Sequence, residues 1–171
     1  MPDEALVFTL PSRYCPVQEL ADVAWSLFGS TPTGWQRVQC ISDWVHAEIT
    51  FGYLTTDPLA TAVEIFENRA GVCRDFAHLG TTFCRALNIP ARYPFGYLPD
   101  PPGRPTPDPP DFCAWMEVFL GGQWWTFDPR NNERRRGRVL LARGRDAIDI
   151  AMISTYGGPE LKAMTVWANR A

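Results

Sequence analysis

Apolar residues recur at helical spacing through the first half of the chain and at strand spacing through much of the second. In VQELADVAWSLFG, Leu20, Val23, Ala24, Leu27 and Phe28 share one helix face, and Gly29 supplies a C-terminal stop. GWQRVQCISDWVHAEI repeats the pattern with Val38, Ile41, Val45 and Ile49, and His46 lies beside that stripe. TTDPLATAVEIFENRAG predicts a third helix, with Asp57 as its cap, Pro58 in its first turn and Gly71 at its end. The longest stripe belongs to GVCRDFAHLGTTFCRALNIP. Cys73, Phe76, Ala77, Gly80, Phe83, Cys84 and Leu87 follow i, i+3, i+4, i+7 spacing, so Cys73 opens a helix and faces what packs on it.

The period then changes to two. ARYPFGYL predicts a strand. The proline-rich PDPPGRPTPDPPD is excluded from a sheet interior because proline lacks the donor, so it reads as an exposed loop bordering a cleft. FCAWMEVFL and QWWTFDPR form a hairpin about the turn Gly121-Gly122. That turn sets Leu120 opposite Gln123, Val118 opposite Trp125 and Trp115 opposite Asp128. Cys113, Trp115 and Asp128 then share a face, with Cys113 and Asp128 as diagonal neighbours roughly 7–8 Å apart at Cα. GRVLLARGRDAIDIAMIST reads as a strand followed by a short helix or loop, and LKAMTVWANRA as a final strand. Helices first and antiparallel strands after define an α+β fold, with the helices packed on a mostly antiparallel sheet. With no repeat and no linker, residues 1–171 read as a single domain.

Composition narrows the function. The content of 46% hydrophobic and 20% charged residues is that of an ordinary globular protein, and a net charge of −3 gives no basic field for nucleic acid or anionic lipid. Arg134, Arg135, Arg136 and Arg138 sit among Asn and Glu and read as a solvated loop. No segment approaches the ~20 apolar residues of a membrane span, and acids occupy the start where a signal peptide carries Lys or Arg, so no membrane partner and a cytoplasmic location are expected. The five cysteines, Cys15, Cys40, Cys73, Cys84 and Cys113, show no paired spacing and read as free thiols in a reducing compartment.

Cys73 carries the chemistry. A thiol in the first turn of a helix sits where unpaired N–H groups and the macrodipole favour an anion, which lowers its pKa and makes a nucleophilic thiolate available. The bland alternative is a structural cysteine, the reading given to mid-helix Cys84. His78 is no partner for Cys73: at ~100° per residue it points about 140° away on the same helix. Nothing in the spacing of His46 makes it one either.

Several segments in order resemble the transglutaminase-like superfamily. GVCRDFAHLGTTFCRALNIPARYPFGYL resembles its nucleophile segment, AWMEVFLGGQWWTFDPRNN its strand leading to the FDP aspartate, and RGRDAIDIAMISTYG the tail of its small bacterial members. LPSRYCP and ISDWVHAEI also fit, whereas the N-terminal β-rich region of many bacterial relatives has no counterpart. The resemblance implies a papain-like core in which a thiolate attacks a peptide or protein amide, forms a thioester, and releases it to an amine or water, with no cofactor. It makes Cys73 the nucleophile and Asp128 the residue that orients the base, and it gives Asp75, His78 and Trp115 supporting places around them. The base itself departs from the pattern: Cys113 stands where the histidine belongs. A thiol does not hold positive charge beside a thiolate, nor ferry protons near pH 7 as imidazole does. The site then has three readings. One is an acyltransferase or amide hydrolase with weak or rewired activity. Another is a non-catalytic member that binds peptide or protein. The third is a metal or redox site built from Cys73, Cys113 and Asp128.

Overall fold

The computed structural model describes residues 1–52, 57–98, 112–134, 137–158, 160 and 162–163. A short helix α1 (Asp3–Leu6) and a 3-10 turn (Val7–Thr9) lead into α2 (Ala21–Phe28), α3 (Trp35–Glu48), β1 (Thr50–Phe51), α4 (Ala62–Asn68), β2 (Ala70–Gly71) and α5 (Cys73–Ala86). The strands β3 (Ala91–Tyr97), β4 (Phe112–Ala114), β5 (Met116–Leu120), β6 (Gln123–Phe127) and β7 (Val139–Gly144) come next. The helices-then-strands order of the sequence is therefore the order of the fold.

Strand β3 is the axis of the main sheet. On one side it pairs antiparallel with β4 and then β5, and on the other with β7; β5 and β6 form the hairpin. Leu120 faces Gln123 and Val118 faces Trp125, as the glycine turn dictates. The ladder stops at Met116–Phe127, so Trp115 and Asp128 are not a paired position. The expected single strand is instead interrupted at Trp115, whose N–H turns to the carbonyl of Pro94 at 3.2 Å. A small parallel sheet joins β1 to β2, pairing Phe51 with Gly71 at the entrance to α5.

Helix α5 is the spine of the core. Residues 75–86 are buried on every face, not along one stripe only. Its apolar side packs with Val38, Ile41, Val45, Ile65 and Met116 in the main core. Its polar side is covered by the N-terminal segment and the turn after β7. Arg85 donates to the carbonyls of Ala91 (2.9 Å), Leu10 (3.2 Å) and Arg145 (2.6 Å), and Tyr14 N–H donates to Asp146 Oδ2 at 2.9 Å. Most buried polar groups here find a partner of this kind, whereas His78 Nδ1 and Thr81 Oγ1 have none among the described residues.

Three expectations need correcting. Helix α4 begins at Ala62, capped by Thr61 and Glu64, whose carboxylate accepts the Thr61 N–H at 2.7 Å; Asp57 instead accepts the Leu59 N–H in the preceding turn. Both are good capping residues, and the reciprocal Thr61–Glu64 pair prevails. That helix ends at Arg69, in the left-handed region at φ 55°, before Gly71. In α2, Leu20, Ala24 and Phe28 are buried but Leu27 is 38% exposed, because a two-turn helix presents only a narrow face. The proline-rich segment and the proposed final strand lie largely outside the described residues.

Glycine 80 fixes the distance between α5 and the sheet. A methyl group there would meet Met116 Sδ at 2.9 Å and Pro129 Cγ at 3.3 Å. The α5 backbone thus packs directly on the side chains of Met116 and Pro129.

Candidate active site

Cys73 is the first residue of α5, and the element before it holds its orientation. Asp75 accepts the Val72 N–H at 2.9 Å and pairs with Arg74 at 2.7 Å, closing the first turn. The half-buried Cys73 sulfur points at the sheet, within 3.8 Å of the Phe112 carbonyl, and packs with Tyr93 and Ala114. Cys113 lies on β4, paired with Gly96, and is 3% exposed. Cys113 Sγ donates to the Ala114 carbonyl at 3.5 Å, and the two thiols lie close enough for each to shift the other's ionisation. The structure therefore brings Cys73 and Cys113 together across the helix–sheet gap.

The pair shares its protons unequally. The adjacent Cys113 side chain lowers the Cys73 thiol pKa most, to about 7; burial opposes, and the backbone of Ala114, the charge of Arg130 and the backbone of Arg74 reinforce the lowering. Cys113 is driven up by the adjacent Cys73 side chain, by burial, and by the negative charges of Cys73 and Asp128. Cys73 is thus the more readily ionised thiol of the pair and Cys113 the one held protonated.

Asp128 comes directly after β6 and is buried. Its Oδ2 accepts from Asn131 Nδ2 and Arg138 Nη2, both at 2.9 Å, and its Oδ1 accepts the Asn131 N–H at 3.1 Å. It influences Cys113 through space, with no hydrogen bond between them among the described residues. Arg138 also lies 5.6 Å over the ring of Trp115, which is 1% exposed. The expectation that the arginine run is a solvated loop fails at Arg138, because a buried carboxylate draws in a cation. Arg134 stands 5.6 Å over Trp35, and Arg135 and Arg136 lie outside the described residues.

His78 is fully buried between Tyr14 (5.2 Å, stacked) and Tyr93 (4.7 Å). Its Nε2 accepts the Ala147 N–H at 3.1 Å, and burial pushes its pKa down to about 3. It joins three sequence motifs and does not reach the thiols. His46 is exposed on α3, and its Nδ1 donates to the carbonyls of Arg130 (2.9 Å) and Pro129 (3.2 Å).

Sequence reading missed the groups that organise the aspartate turn. Ser42 donates to Asn132 Oδ1 at 3.0 Å, Asn132 donates to Asp43 at 2.7 Å, and with His46 and Gln39 they make one polar face of α3 clamp residues 129–132. The spacing 39, 42, 43, 46 was the available signal. Arg130 was missed as well: its guanidinium rests 4.0 Å over Phe51 and reaches Cys113 Sγ at 3.9 Å. It supplies fixed positive charge where an imidazolium would supply a mobile proton. A groove of about 380 Å³ runs past Asp128, walled by Trp35, Trp124 and Trp125 and by Arg134 and Arg138, but neither cysteine lines it. Among the described residues, no group of three His, Cys, Asp or Glu side chains is arranged to hold a metal ion, and no helix is long and apolar enough to cross a membrane.

Comparison with known proteins supports the same architecture. The sequence profile of the transglutaminase-like superfamily matches residues 22–129, well over half of the chain. A crystal structure from Cytophaga hutchinsonii, described as a candidate cysteine protease, superposes with a TM-score of 0.84 at 34% identity, covering 99% of this chain and 61% of that one. The periplasmic domain of TgpA from Pseudomonas aeruginosa shares the fold, with a TM-score of 0.58 at 22% identity over 77% of this chain and 49% of that one. An uncharacterised protein of Mycobacterium leprae is 28% identical over 157 residues, 86% of this chain and 54% of its own length. The chain thus spans about half to three-fifths of the length of these relatives.

Proposed function

The chain belongs to the transglutaminase-like superfamily, and we propose that in this member Cys73 takes acyl groups as a thioester from donors with good leaving groups and passes them to amines. The observation that carries this reading is the placement of Cys73 on the first turn of α5 with its sulfur turned to β4 beside Cys113, which lowers the Cys73 pKa to about 7. It keeps a substantial thiolate fraction at neutral pH without a base, so attack on a carbonyl needs no prior proton transfer. Arg130 and the first turn of α5 add to the same stabilisation.

The leaving group separates the donors. An amide nitrogen leaves only when protonated, and an imidazolium would supply that proton; Cys113, with its raised pKa, holds its proton too tightly. An ester or thioester leaves as an anion and needs none. The second half is selective too. Water needs a base to attack the thioester, and the Asp128 oxygens are engaged by Asn131 and Arg138. An amine carries its own lone pair. Peptide or protein acyl donors and amine acceptors are the expected partners, with the aromatic groove beside Asp128 as their docking wall. Keeping both thiols reduced favours a cytoplasmic setting.

The test uses p-nitrophenyl acetate with intact-mass detection. A stoichiometric acetyl group on Cys73, removed by hydroxylamine or a primary amine faster than by water, is the expected result. Cys113→His is expected to raise amide turnover by about a hundredfold or more, since it restores a proton carrier. No adduct at Cys73, with peptide binding retained, would replace this reading by a binding-only scaffold.

A further inference from the structure

The ordinary partner of a catalytic thiolate is a nitrogen base, and here it is a second sulfur. Two neighbouring sulfurs can also do chemistry independent of acyl transfer. We propose that Cys73 and Cys113 form a hydroperoxide-reducing dithiol, in which Cys73 attacks the peroxide and Cys113 resolves the product as an intramolecular disulfide that withdraws the nucleophile.

Three observations converge. Cys73 Sγ lies 3.8 Å from the carbonyl of Phe112, the residue before Cys113, with Cys73 on the first turn of α5 and Cys113 on β4, so neither element must unfold for the sulfurs to bond. Their access differs: Cys73 is half-buried and Cys113 is 3% exposed, so a small oxidant meets Cys73 first and the product meets Cys113 next. Arg130 Nη1 lies 3.9 Å from Cys113 Sγ and its charge also acts on Cys73, placing a cation beside both the thiolate and the departing oxyanion. No competing pair is set up among the described residues. Cys15 lies against the His78 carbonyl at 3.7 Å, Cys84 belongs to the main core, and Cys40 sits on α3.

The chemistry balances in two steps. The Cys73 thiolate attacks one oxygen of ROOH, the O–O bond breaks, and the departing RO⁻ takes a proton to leave as ROH, giving Cys73 sulfenic acid. Cys113 then attacks the Cys73 sulfur, the S–O bond breaks, and hydroxide leaves as water with the Cys113 proton. One thiolate, one thiol, one hydroperoxide and one proton thus become one disulfide, one alcohol and one water. A dithiol such as dithiothreitol returns the pair by exchange. A Cys–His pair has no resolving sulfur, so its sulfenic acid proceeds to sulfinic acid at higher dose.

The whole chain, reduced and freed of reductant, is treated with stoichiometric hydrogen peroxide at neutral pH and read by intact mass and peptide mapping. The expected product has lost two hydrogen atoms, contains a Cys73–Cys113 linked peptide, resists N-ethylmaleimide at both positions and reverts with dithiothreitol. Cys113→Ser is expected to give a dimedone-trapped sulfenic acid at Cys73 and, at excess peroxide, at least about tenfold more sulfinic acid than the parent. Cys113→Ala, checked by thermal melting, guards against a folding defect, and the parent readout needs no variant. Wild-type chain that gives the dimedone adduct and sulfinic acid with no linked peptide would overturn the proposal. The outcome is separable from the acyl reading: a disulfide without acetylation by the ester retains this proposal and removes the other, and the converse holds.

Discussion

Cys73 and Cys84 lie on the same stripe of α5, about three turns apart, and their surroundings drive them in opposite directions. In the interior, burial pushes the Cys84 thiol up to about 12 and holds His78 neutral. The interior keeps its buried polar atoms neutral or bonds them to carbonyls, as Thr82 bonds to His78 O at 2.8 Å and Arg85 to Ala91 O at 2.9 Å. At the first turn burial acts on Cys73 too, but the Cys113 side chain, backbone partners and the charge of Arg130 outweigh it. Burial does not decide whether a thiol ionises; the hydrogen bonds offered to its charged form do.

The sharpest way to break this contrast is differential alkylation of the folded chain. At neutral pH, iodoacetamide is expected to label Cys73 at least about a thousandfold faster than Cys84, after allowing for the lower intrinsic nucleophilicity of the more acidic thiol. The Cys73 rate should rise with pH to a midpoint near 7. Comparable rates at the two positions would erase the distinction between first turn and interior.

A smaller effect tests the interior. The folded chain keeps His78 neutral down to about pH 3, whereas the unfolded chain protonates it below about 6.5. Its folded pKa is depressed, so its contribution to stability is complete above pH 6.5 and is lost as pH falls towards 3. That loss is on the order of 3 kcal/mol. Urea midpoints measured at pH 7 and pH 4 for wild type and His78→Gln should show a flatter pH dependence in the variant. An unchanged slope would mean that His78 is not held neutral.

The smallest effect concerns the cation. Arg130→Met removes the charge but keeps an apolar chain over Phe51, so Cys73 labelling at pH 7 should slow by less than about tenfold, with its pH midpoint moving upward. No movement would leave the hydrogen bonds alone responsible for the thiolate.

The elements and the place of Cys73 at the start of α5 were legible because their signals are local. The stripe of α5 begins at Cys73, and a two-residue glycine turn leaves the β5–β6 hairpin one register. The break at Trp115 was not legible, because the alternation of apolar positions runs through it unbroken and only β3, paired on both sides, reveals it. The burial of α5 on its polar side depends on segments some 60 to 75 residues away in sequence, such as Leu10 and Arg145. Family resemblance located Cys113 and Asp128. Arg130 and Arg138 look like any arginine in a charged turn, and the three-dimensional path of that turn gives them their places.

The contact at Gly80 also bears on how this site changes over time. Because the α5 backbone rests there on the side chains of Met116 and Pro129 with no space for a methyl group, the spacing of helix and sheet is held by a contact that involves neither residue 73 nor residue 113. A side chain at position 113 can therefore be exchanged, as in Cys113→His, without disturbing the contact that sets this spacing.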